Sequence, residues 1–225
     1  MCRLATISLL NYPGKVAATL FFPGCNLRCG FCHNPSLLFS PPRPFLEYRQ
    51  YIEKKQRYIS GVCFTGGEPL LSFKKVQRLL RFSKSLNLYT KLDTNGFFPE
   101  ELKALLDEQL LNYIAMDIKA PKSCYRRLTP KLQEINNIEK SIQLIQNCGL
   151  DYEFRTTVIP AFFSEKEARN ISKWIAGSKK YVLQAFSNTS PTLDPSFTQF
   201  DTPSVDYLKQ LQAIFKTTIE QVELR

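Results

Sequence analysis

The chain has 225 residues, of which 44% are hydrophobic, so it is long enough to form a globular domain with a sizeable core. Its seven cysteines are an odd number, which disfavours a disulfide framework, and its single histidine, His33, excludes any catalytic triad built without it. A formal net charge of +10 would suit RNA or an acidic protein partner, although solvated faces of amphipathic helices account for most of the lysines.

The first half of the chain alternates apolar strands with amphipathic helices. It opens without a signal-peptide pattern, and no apolar run has the length of a membrane span, so we expect a cytoplasmic protein with no membrane partner. An extended segment at 4–11 ends at a turn, and a buried strand at 16–22 precedes three close cysteines. The pattern then predicts a helix at 45–57, a strand at 61–65 and a helix from Phe73 to Leu86.

The second half continues the alternation. Strands are predicted at 89–93, 112–118, 151–158 and 181–186, with a final strand at 219–224. The helices between them begin at Pro99, cover 136–148, follow a capping box at Ser164–Glu167, and carry an apolar face from Val205 to Ile214. A loop rich in proline, serine and threonine at 187–203 precedes the last helix.

Six strand–helix pairs predict an α/β fold with a parallel sheet and right-handed crossovers. Parallel strands covered by helices on both faces are apolar throughout. The 151–158 strand instead alternates Phe154 and Thr156 with Glu153, Arg155 and Thr157. We therefore expect an open barrel with a polar lumen, and one domain over residues 1–225.

Three cysteines, Cys25, Cys29 and Cys32, follow the first buried strand with the spacing C-x3-C-x2-C. Three thiolates on one loop can bind three irons of a [4Fe–4S] cube and leave the fourth iron open. An open coordination position indicates chemistry rather than a structural role. The rival hypotheses are c-type haem attachment through Cys29, Cys32 and His33, a redox dithiol, and zinc bound by all three cysteines with His33.

The rival assignments are weaker than the open cluster. Haem attachment requires export, a dithiol leaves Cys25 unexplained, and adjacent residues such as Cys32 and His33 seldom ligate one zinc ion. We therefore favour the cluster and interpret His33 as its neighbour rather than as a base.

Polar residues follow several predicted strands at their carboxyl ends. These stretches are Thr65–Pro69, Asp93–Gly96, Asp117–Lys119, Arg155–Thr157 and Gln184. Each alone is an ordinary turn or helix cap, but five on successive strands predict a site at the carboxyl end of the barrel. Paired glycines at a strand end would let a ligand approach the backbone closely.

The motif Cys25-x3-Cys29-x-Phe31-Cys32, with Gly66-Gly67-Glu68 one strand later, resembles the radical S-adenosylmethionine superfamily. The strings CHNP, TGGEP, LDTNG and AMDIKAP resemble its glycyl-radical-enzyme activating proteins. Together with NYPGK and DYEFRTTV, they are most similar to the activating proteins of anaerobic ribonucleoside-triphosphate reductase. The resemblance implies a partial (β/α)6 barrel, to which the 4–11 segment adds a short N-terminal β extension.

The resemblance also implies the cofactors and the reaction. A [4Fe–4S] cluster would be bound by Cys25, Cys29 and Cys32, and S-adenosylmethionine would chelate the open iron. Reductive cleavage would yield methionine and a 5′-deoxyadenosyl radical, which would install a glycyl radical on a partner enzyme. The electron would come from a flavodoxin- or ferredoxin-type reductant, and a basic face suits such an acidic protein.

The resemblance assigns further contacts by position. Gly66, Gly67 and Glu68 match the motif for the methionine amino group, while Lys119 and Arg155 match polar positions in the same pocket.

Two further assignments concern a cation and the nucleoside. Asp93, Thr94 and Asp117 match a segment that binds a monovalent cation in some activating proteins. Some of these proteins also carry a histidine at the end of strand six, where this chain has Gln184, the expected substitute in contacting the nucleoside.

The alternative function is a radical enzyme that modifies RNA or a small metabolite, with basic helices as the nucleic-acid surface. An electron-transfer iron–sulfur protein is a third class, but it would leave the Gly66–Glu68 motif without a role. The lack of a second cysteine cluster and of an appended RNA-binding module favours the activating protein.

Overall fold

In a computed structural model, which describes residues 4–125 and 135–225, one sheet contains eight strands in chain order. They are β1 (Ala5–Ser8), β2 (Ala17–Phe22), β3 (Gly61–Gly66), β4 (Tyr89–Thr94), β5 (Tyr113–Asp117), β6 (Asp151–Val158), β7 (Lys180–Ala185) and β8 (Gln221–Leu224). The β1 strand is antiparallel to β2, and every later pair is parallel. Within the described residues β1 and β8 do not pair, which confirms an open, partial barrel with an N-terminal β extension.

Seven α-helices are described: α1 (Pro35–Phe39), α2 (Phe45–Lys55), α3 (Phe73–Ser85), α4 (Pro99–Asp107), α5 (Ile135–Asn147), α6 (Glu165–Trp174) and α7 (Val205–Phe215). The predicted helices are confirmed, although α2 ends two residues early. The short α1 was not predicted, because five residues are too few to show a helical period. None of the helices in the described part of the chain is long and apolar enough to cross a membrane.

Local signals explain where the helices begin and end. The Ser164 hydroxyl accepts a hydrogen bond from the Lys166 backbone N–H, and the Glu167 carboxylate accepts one from the Ser164 N–H, so the predicted capping box opens α6. Just beyond α5, Gly149 adopts a φ of 73°, which suits the chain reversal at a helix end.

Two separate groups of buried hydrophobic residues lie against the sheet. The large hydrophobic core lies between the sheet and the helices and includes Tyr152 and Phe154 of β6. A second, small cluster of Tyr12, Ala17, Tyr113 and Ala115 is a separate apolar group. The Tyr113 hydroxyl donates to the Glu153 carboxylate at 3.0 Å. Because Glu153 is one of the polar residues of β6 that face the lumen, this small cluster lies on the lumen face. Apolar packing thus fills one level of the lumen and leaves its carboxyl end polar.

Candidate cofactor site

A cavity of about 390 Å³ opens at the carboxyl ends of the parallel strands, within the range of roughly 300–1,000 Å³ typical of ligand sites. Eleven of the twelve predicted site residues line it: Cys25, Cys29, Cys32, Gly66, Gly67, Asp93, Thr94, Asp117, Lys119, Arg155 and Gln184. Glu68 is the exception. A larger cavity of about 920 Å³ lies by α4 and α5, and none of the predicted residues lines it.

The three cysteine thiols reach the cavity from the loop between β2 and α1, and all three are free. In residues 4–125 and 135–225, no three cysteine, histidine or acidic side chains are grouped so as to hold one metal ion. In a [4Fe–4S] cube each thiolate binds a different iron, so the thiols need not converge on one ion. The three free thiols that line this cavity therefore fit such a cube.

The cysteine thiols must lose their protons before they can bind iron, because the thiolate is the metal ligand. Burial raises the pKa of Cys25 and raises that of Cys29 to about 11. A free thiol with a raised pKa stays protonated near neutral pH, whereas the positive charge of iron favours the thiolate. Cluster binding is thus expected to release protons from this loop.

The first half of the cysteine loop packs directly against the paired glycines. The Gly67 N–H donates to the Phe22 carbonyl at 2.9 Å, and the Glu68 N–H donates to the Gly24 carbonyl at 2.8 Å. A Cβ on Gly67 would overlap the Gly24 carbonyl oxygen. Gly66 adopts a φ of 127°, which favours glycine. The glycines are thus needed for the approach of two backbones, in addition to any approach of a ligand.

Glu68 is fully buried and its carboxylate lies outside the cavity. Its oxygens accept hydrogen bonds from the Leu70 N–H at 3.1 Å, the Thr94 hydroxyl at 3.0 Å and the Asn95 N–H at 2.7 Å. Burial nevertheless raises its pKa to about 7. The Glu68 side chain therefore joins the loops after β3 and β4. This structural contact was not part of the role expected for Glu68, which was to contact the methionine amino group.

Asn95 lies in the Asp93–Gly96 stretch that was predicted to contribute to the site, but its contact with the cysteines was not predicted. Its side-chain amide donates to the Cys25 sulfur at 3.7 Å and to the Asn26 side-chain oxygen at 2.7 Å. The Leu27 N–H donates to the same sulfur at 3.4 Å. Asn95 belongs to the LDTNG string, so a signal existed, but only the fold brings it to Cys25.

The second half of the cysteine loop is held by the segment that follows β7. The Leu193 N–H donates to the Cys32 carbonyl at 3.0 Å, and the Asp194 N–H donates to the Gly30 carbonyl at 2.9 Å. The Phe197 ring covers Gly30 so closely that a Cβ there would overlap it. The sequence indicated only a loop at 187–203, and these contacts were missed.

His33 lines the cavity as a neighbour of the cysteines. Its ring stacks on that of Phe186, with 5.3 Å between the centroids. The arrangement agrees with the expected neighbouring position of His33.

Two aspartates and three cationic side chains form an ion network beside the thiols. Arg155 Nε lies 2.9 Å from Asp117 Oδ1, and Arg155 Nη1 lies 3.5 Å from Asp93 Oδ2. Lys119 Nζ is 2.7 Å from Asp117 Oδ2, and Lys91 Nζ is 2.5 Å from Asp93 Oδ1. Burial opposes ionisation, yet these cations lower the pKa of both aspartates below the usual range.

A second ion pair supports the first network from deeper in the lumen. The fully buried Glu153 carboxylate accepts from the Arg225 guanidinium at 3.0 and 2.8 Å, and lies 3.9 Å from Arg155 Nη1. Neither Lys91 nor the pair of Glu153 with Arg225 was predicted. Their partners lie on other strands or two residues away, and only the register of the sheet reveals them.

Comparisons with known proteins agree with this site. The family model of the radical SAM superfamily matches residues 19–174. A proposed glycyl-radical enzyme activating enzyme of Methanocaldococcus jannaschii is 27% identical over 99% of this chain and 94% of its own length. The pyruvate formate-lyase-activating enzyme of Clostridium pasteurianum is 24% identical over 98% of this chain and 93% of its own.

A solved structure shares the fold. Streptococcus suis SuiB, in a crystal structure bound to S-adenosylmethionine, superposes with a TM-score of 0.68 at 15% identity. The match covers 91% of this chain and 51% of SuiB, so the chain spans about half of that protein.

The family match covers well over half of the chain and includes the cysteine loop, the paired glycines and the ion network. Enzymes of this family use a [4Fe–4S] cluster and S-adenosylmethionine, and the three free thiols and adjoining polar cavity fit that pair. The chain is therefore a radical enzyme that uses these two cofactors, and it belongs to the radical S-adenosylmethionine superfamily.

Proposed function

We propose that this enzyme installs a glycyl radical on a partner protein, and that the partner is of the anaerobic ribonucleoside-triphosphate reductase type. The observation that supports an activating enzyme most strongly is the match to two such enzymes over nearly the whole length of both partners. The choice of reductase rests on the sequence strings CHNP, LDTNG and AMDIKAP and their companions. Residues 1–225 would act as one domain.

In this proposal Cys25, Cys29 and Cys32 bind three irons of the cluster. When bound, the cluster supplies the electron that cleaves S-adenosylmethionine to methionine and a 5′-deoxyadenosyl radical. The backbone at Gly66 and Gly67 would contact the methionine amino group, because no side chain there blocks the approach.

The remaining cavity residues orient the rest of the ligand. Lys119 and Arg155 would attract its carboxylate, and Asp93 and Asp117 would fix those cations in place. Thr94 lines the same cavity, and its hydroxyl donates to Glu68. Gln184 lines the same cavity and would contact the nucleoside. Fixed side chains of this kind supply orientation and exclude water, while the cofactors carry the bond-breaking chemistry.

The reaction balances with one external electron. A flavodoxin- or ferredoxin-type protein would donate it, the C5′–S bond would break, and the partner's glycine would lose one hydrogen atom from Cα to form 5′-deoxyadenosine. The products are methionine, 5′-deoxyadenosine and the glycyl radical.

The first experiment tests the cofactor site. After anaerobic reconstitution and reduction with dithionite, the wild-type protein should convert S-adenosylmethionine to 5′-deoxyadenosine. Single changes of Cys25, Cys29 or Cys32 to Ala should abolish this, whereas Cys148→Ala, outside the cavity, should not. Cleavage that survived loss of any of the three cysteines would contradict the assignment.

The second experiment tests the partner. The reduced enzyme with S-adenosylmethionine should generate the doublet signal of a glycyl radical, seen by electron paramagnetic resonance, in an anaerobic ribonucleoside-triphosphate reductase. A signal only in pyruvate formate-lyase would keep the activating function but change the partner. Absence of the signal in both, together with a modified RNA or small metabolite, would favour the alternative function.

A further inference from the structure

The Lys91 ammonium lies in the ion network although its side chain does not line the cavity. Lys91 and Asp93 are two residues apart on β4 and therefore face the same side of the sheet. Lys91 is only 2% exposed, and its Nζ lies 2.5 Å from Asp93 Oδ1. A lysine so deeply buried is costly unless its charge is matched, and here Asp93 supplies the matching charge.

The carboxylate oxygens that a cation would need already face nitrogen atoms. Asp93 Oδ1 faces Lys91 and Asp93 Oδ2 faces Arg155. Asp117 Oδ1 faces Arg155 and Asp117 Oδ2 faces Lys119. A sodium or potassium ion at these two carboxylates would have to lie beside side-chain cations at every oxygen.

The balance of charges around Asp93 and Asp117 also disfavours a bound sodium or potassium ion. Three cationic side chains, Lys91, Lys119 and Arg155, surround the two negative charges of Asp93 and Asp117. The nearby Glu153 lies 3.9 Å from Arg155, but its charge is balanced by that of Arg225 at 2.8 Å. A further cation would therefore enter a region that is already net positive, where like charges oppose it. The monovalent cation expected from the resemblance does not fit these residues.

We propose that the Lys91 ammonium provides the positive charge that a monovalent cation provides in some activating proteins, so that ligand binding by this enzyme is independent of sodium and potassium. This inference rests on the proposed S-adenosylmethionine site. Lys91 acts through Asp93, which lines the cavity, and is thus a positioning residue.

Binding to the wild-type protein is the decisive measurement. The reconstituted protein with its oxidised cluster, which does not cleave S-adenosylmethionine, is titrated calorimetrically under anaerobic conditions in choline, sodium or potassium chloride at equal ionic strength. We expect the Kd to change by less than about twofold between the salts. A saturable tightening of roughly tenfold or more by sodium or potassium, about 1.4 kcal/mol, would overturn the proposal.

Replacement of the lysine should create the dependence that the wild type lacks. Lys91→Met should bind at least about tenfold more weakly in choline and recover affinity in sodium or potassium. Lys91→Arg should remain independent of the salt. The matched control is Lys84→Met, since Lys84 donates to the Asn112 side chain at 2.9 Å and does not line the cavity. Tight, salt-independent binding by folded Lys91→Met would contradict the proposal.

A ligand-free measurement separates this inference from the proposed function. Crystals of the wild-type holoprotein soaked in rubidium chloride should show no anomalous peak between Asp93 and Asp117, whereas a peak there would overturn the inference. Failure to bind S-adenosylmethionine in every salt would contradict the proposed function, and the rubidium result would still decide the role of Lys91. If Lys91→Met does not fold, the wild-type titration and the rubidium map decide alone.

Discussion

The first half of the cysteine loop, up to Cys29, and its second half, from Gly30 to His33, contact different parts of the chain. The first half packs on the backbone of the paired glycines and is joined through Asn95 to the buried Glu68. The second half is bound by the segment after β7, through two backbone hydrogen bonds and the Phe197 ring. Backbone hydrogen bonds thus hold both halves, but the tightest contact of the first half is with the Gly24 backbone and that of the second half is with the Phe197 side chain.

The largest effect is expected from Gly67→Ala, which would break the contact with the Gly24 backbone. The new Cβ would overlap the Gly24 carbonyl, and neither backbone can move without displacing a strand end. We expect the free energy of unfolding to fall by about 3 kcal/mol or more, at the upper end for overpacking. Iron content after reconstitution should fall with it. Gly177→Ala, where a Cβ meets nothing within 4 Å, should cost only about 1 kcal/mol because its φ is 77°.

The second prediction concerns the pH dependence of stability that arises from Glu68, which is joined through Asn95 to the first half of the cysteine loop. Because burial raises the pKa of Glu68 to about 7, the folded protein binds this proton more tightly than the unfolded chain, whose pKa is near 4.5. The stability that Glu68 contributes should therefore be greatest below about pH 4.5, fall as the pH rises to about 7, and then level off. The loss is on the order of 3 kcal/mol, since one pKa unit is worth about 1.4 kcal/mol.

Urea denaturation between pH 5.5 and 8.5 checks this slope. Glu68→Gln should flatten it, whereas the exposed Glu220→Gln should leave it as in the wild type. An unchanged slope in Glu68→Gln would show that another group is responsible.

The third prediction concerns the Phe197 ring, which covers Gly30 in the second half of the cysteine loop. Gly30→Ala should cost about 2 kcal/mol, less than Gly67→Ala, because the Phe197 ring can rotate away. In a Phe197→Ala background the same change should cost less than about 0.5 kcal/mol, which a double-mutant cycle of unfolding free energies would measure. Equal costs in both backgrounds would mean that the ring does not restrain Gly30.

The smallest effect is expected at the polar contact of the first half. Asn95→Ala removes the N–H donor to the Cys25 sulfur, and a hydrogen bond to a cluster ligand favours the reduced state. The cluster potential should become more negative and iron affinity should fall about tenfold, the lower end for outer-shell changes. A redox titration followed by electron paramagnetic resonance checks the first, and chelator competition the second. Asn137→Ala, whose amide donates to the Phe97 carbonyl, is the control.

Much of the fold could be predicted, because the strands alternate apolar with polar residues and the helices carry an apolar period. The alternation of Glu153 and Arg155 with Phe154 predicted a polar lumen, and the ion network lies there. The cysteines and the strand-end residues were also predicted, since parallel strands bring their carboxyl ends together. The reductase-type partner stays a prediction.

The rest depended on distances that a sequence does not contain. Leu193 and Asp194 lie some 160 residues from the loop that they bind, and no local pattern links them. The Glu68 carboxylate turns away from the cavity because three donors from neighbouring loops surround it. Lys91 looked like one lysine among many, and its burial follows from its place on β4, on the same face as Asp93.

The ion pair between Arg225 and Glu153 links the β8 edge of the sheet to the charged side chains of the site. Without the guanidinium, the buried Glu153 carboxylate would have Arg155 as its nearest remaining counter-ion, 3.9 Å away. Arg155 would then be drawn away from Asp117, although β8 itself does not reach the cavity. Replacement of Arg225 is therefore expected to change cofactor affinity, although its partner strand lies at the edge of the sheet and not at the cavity.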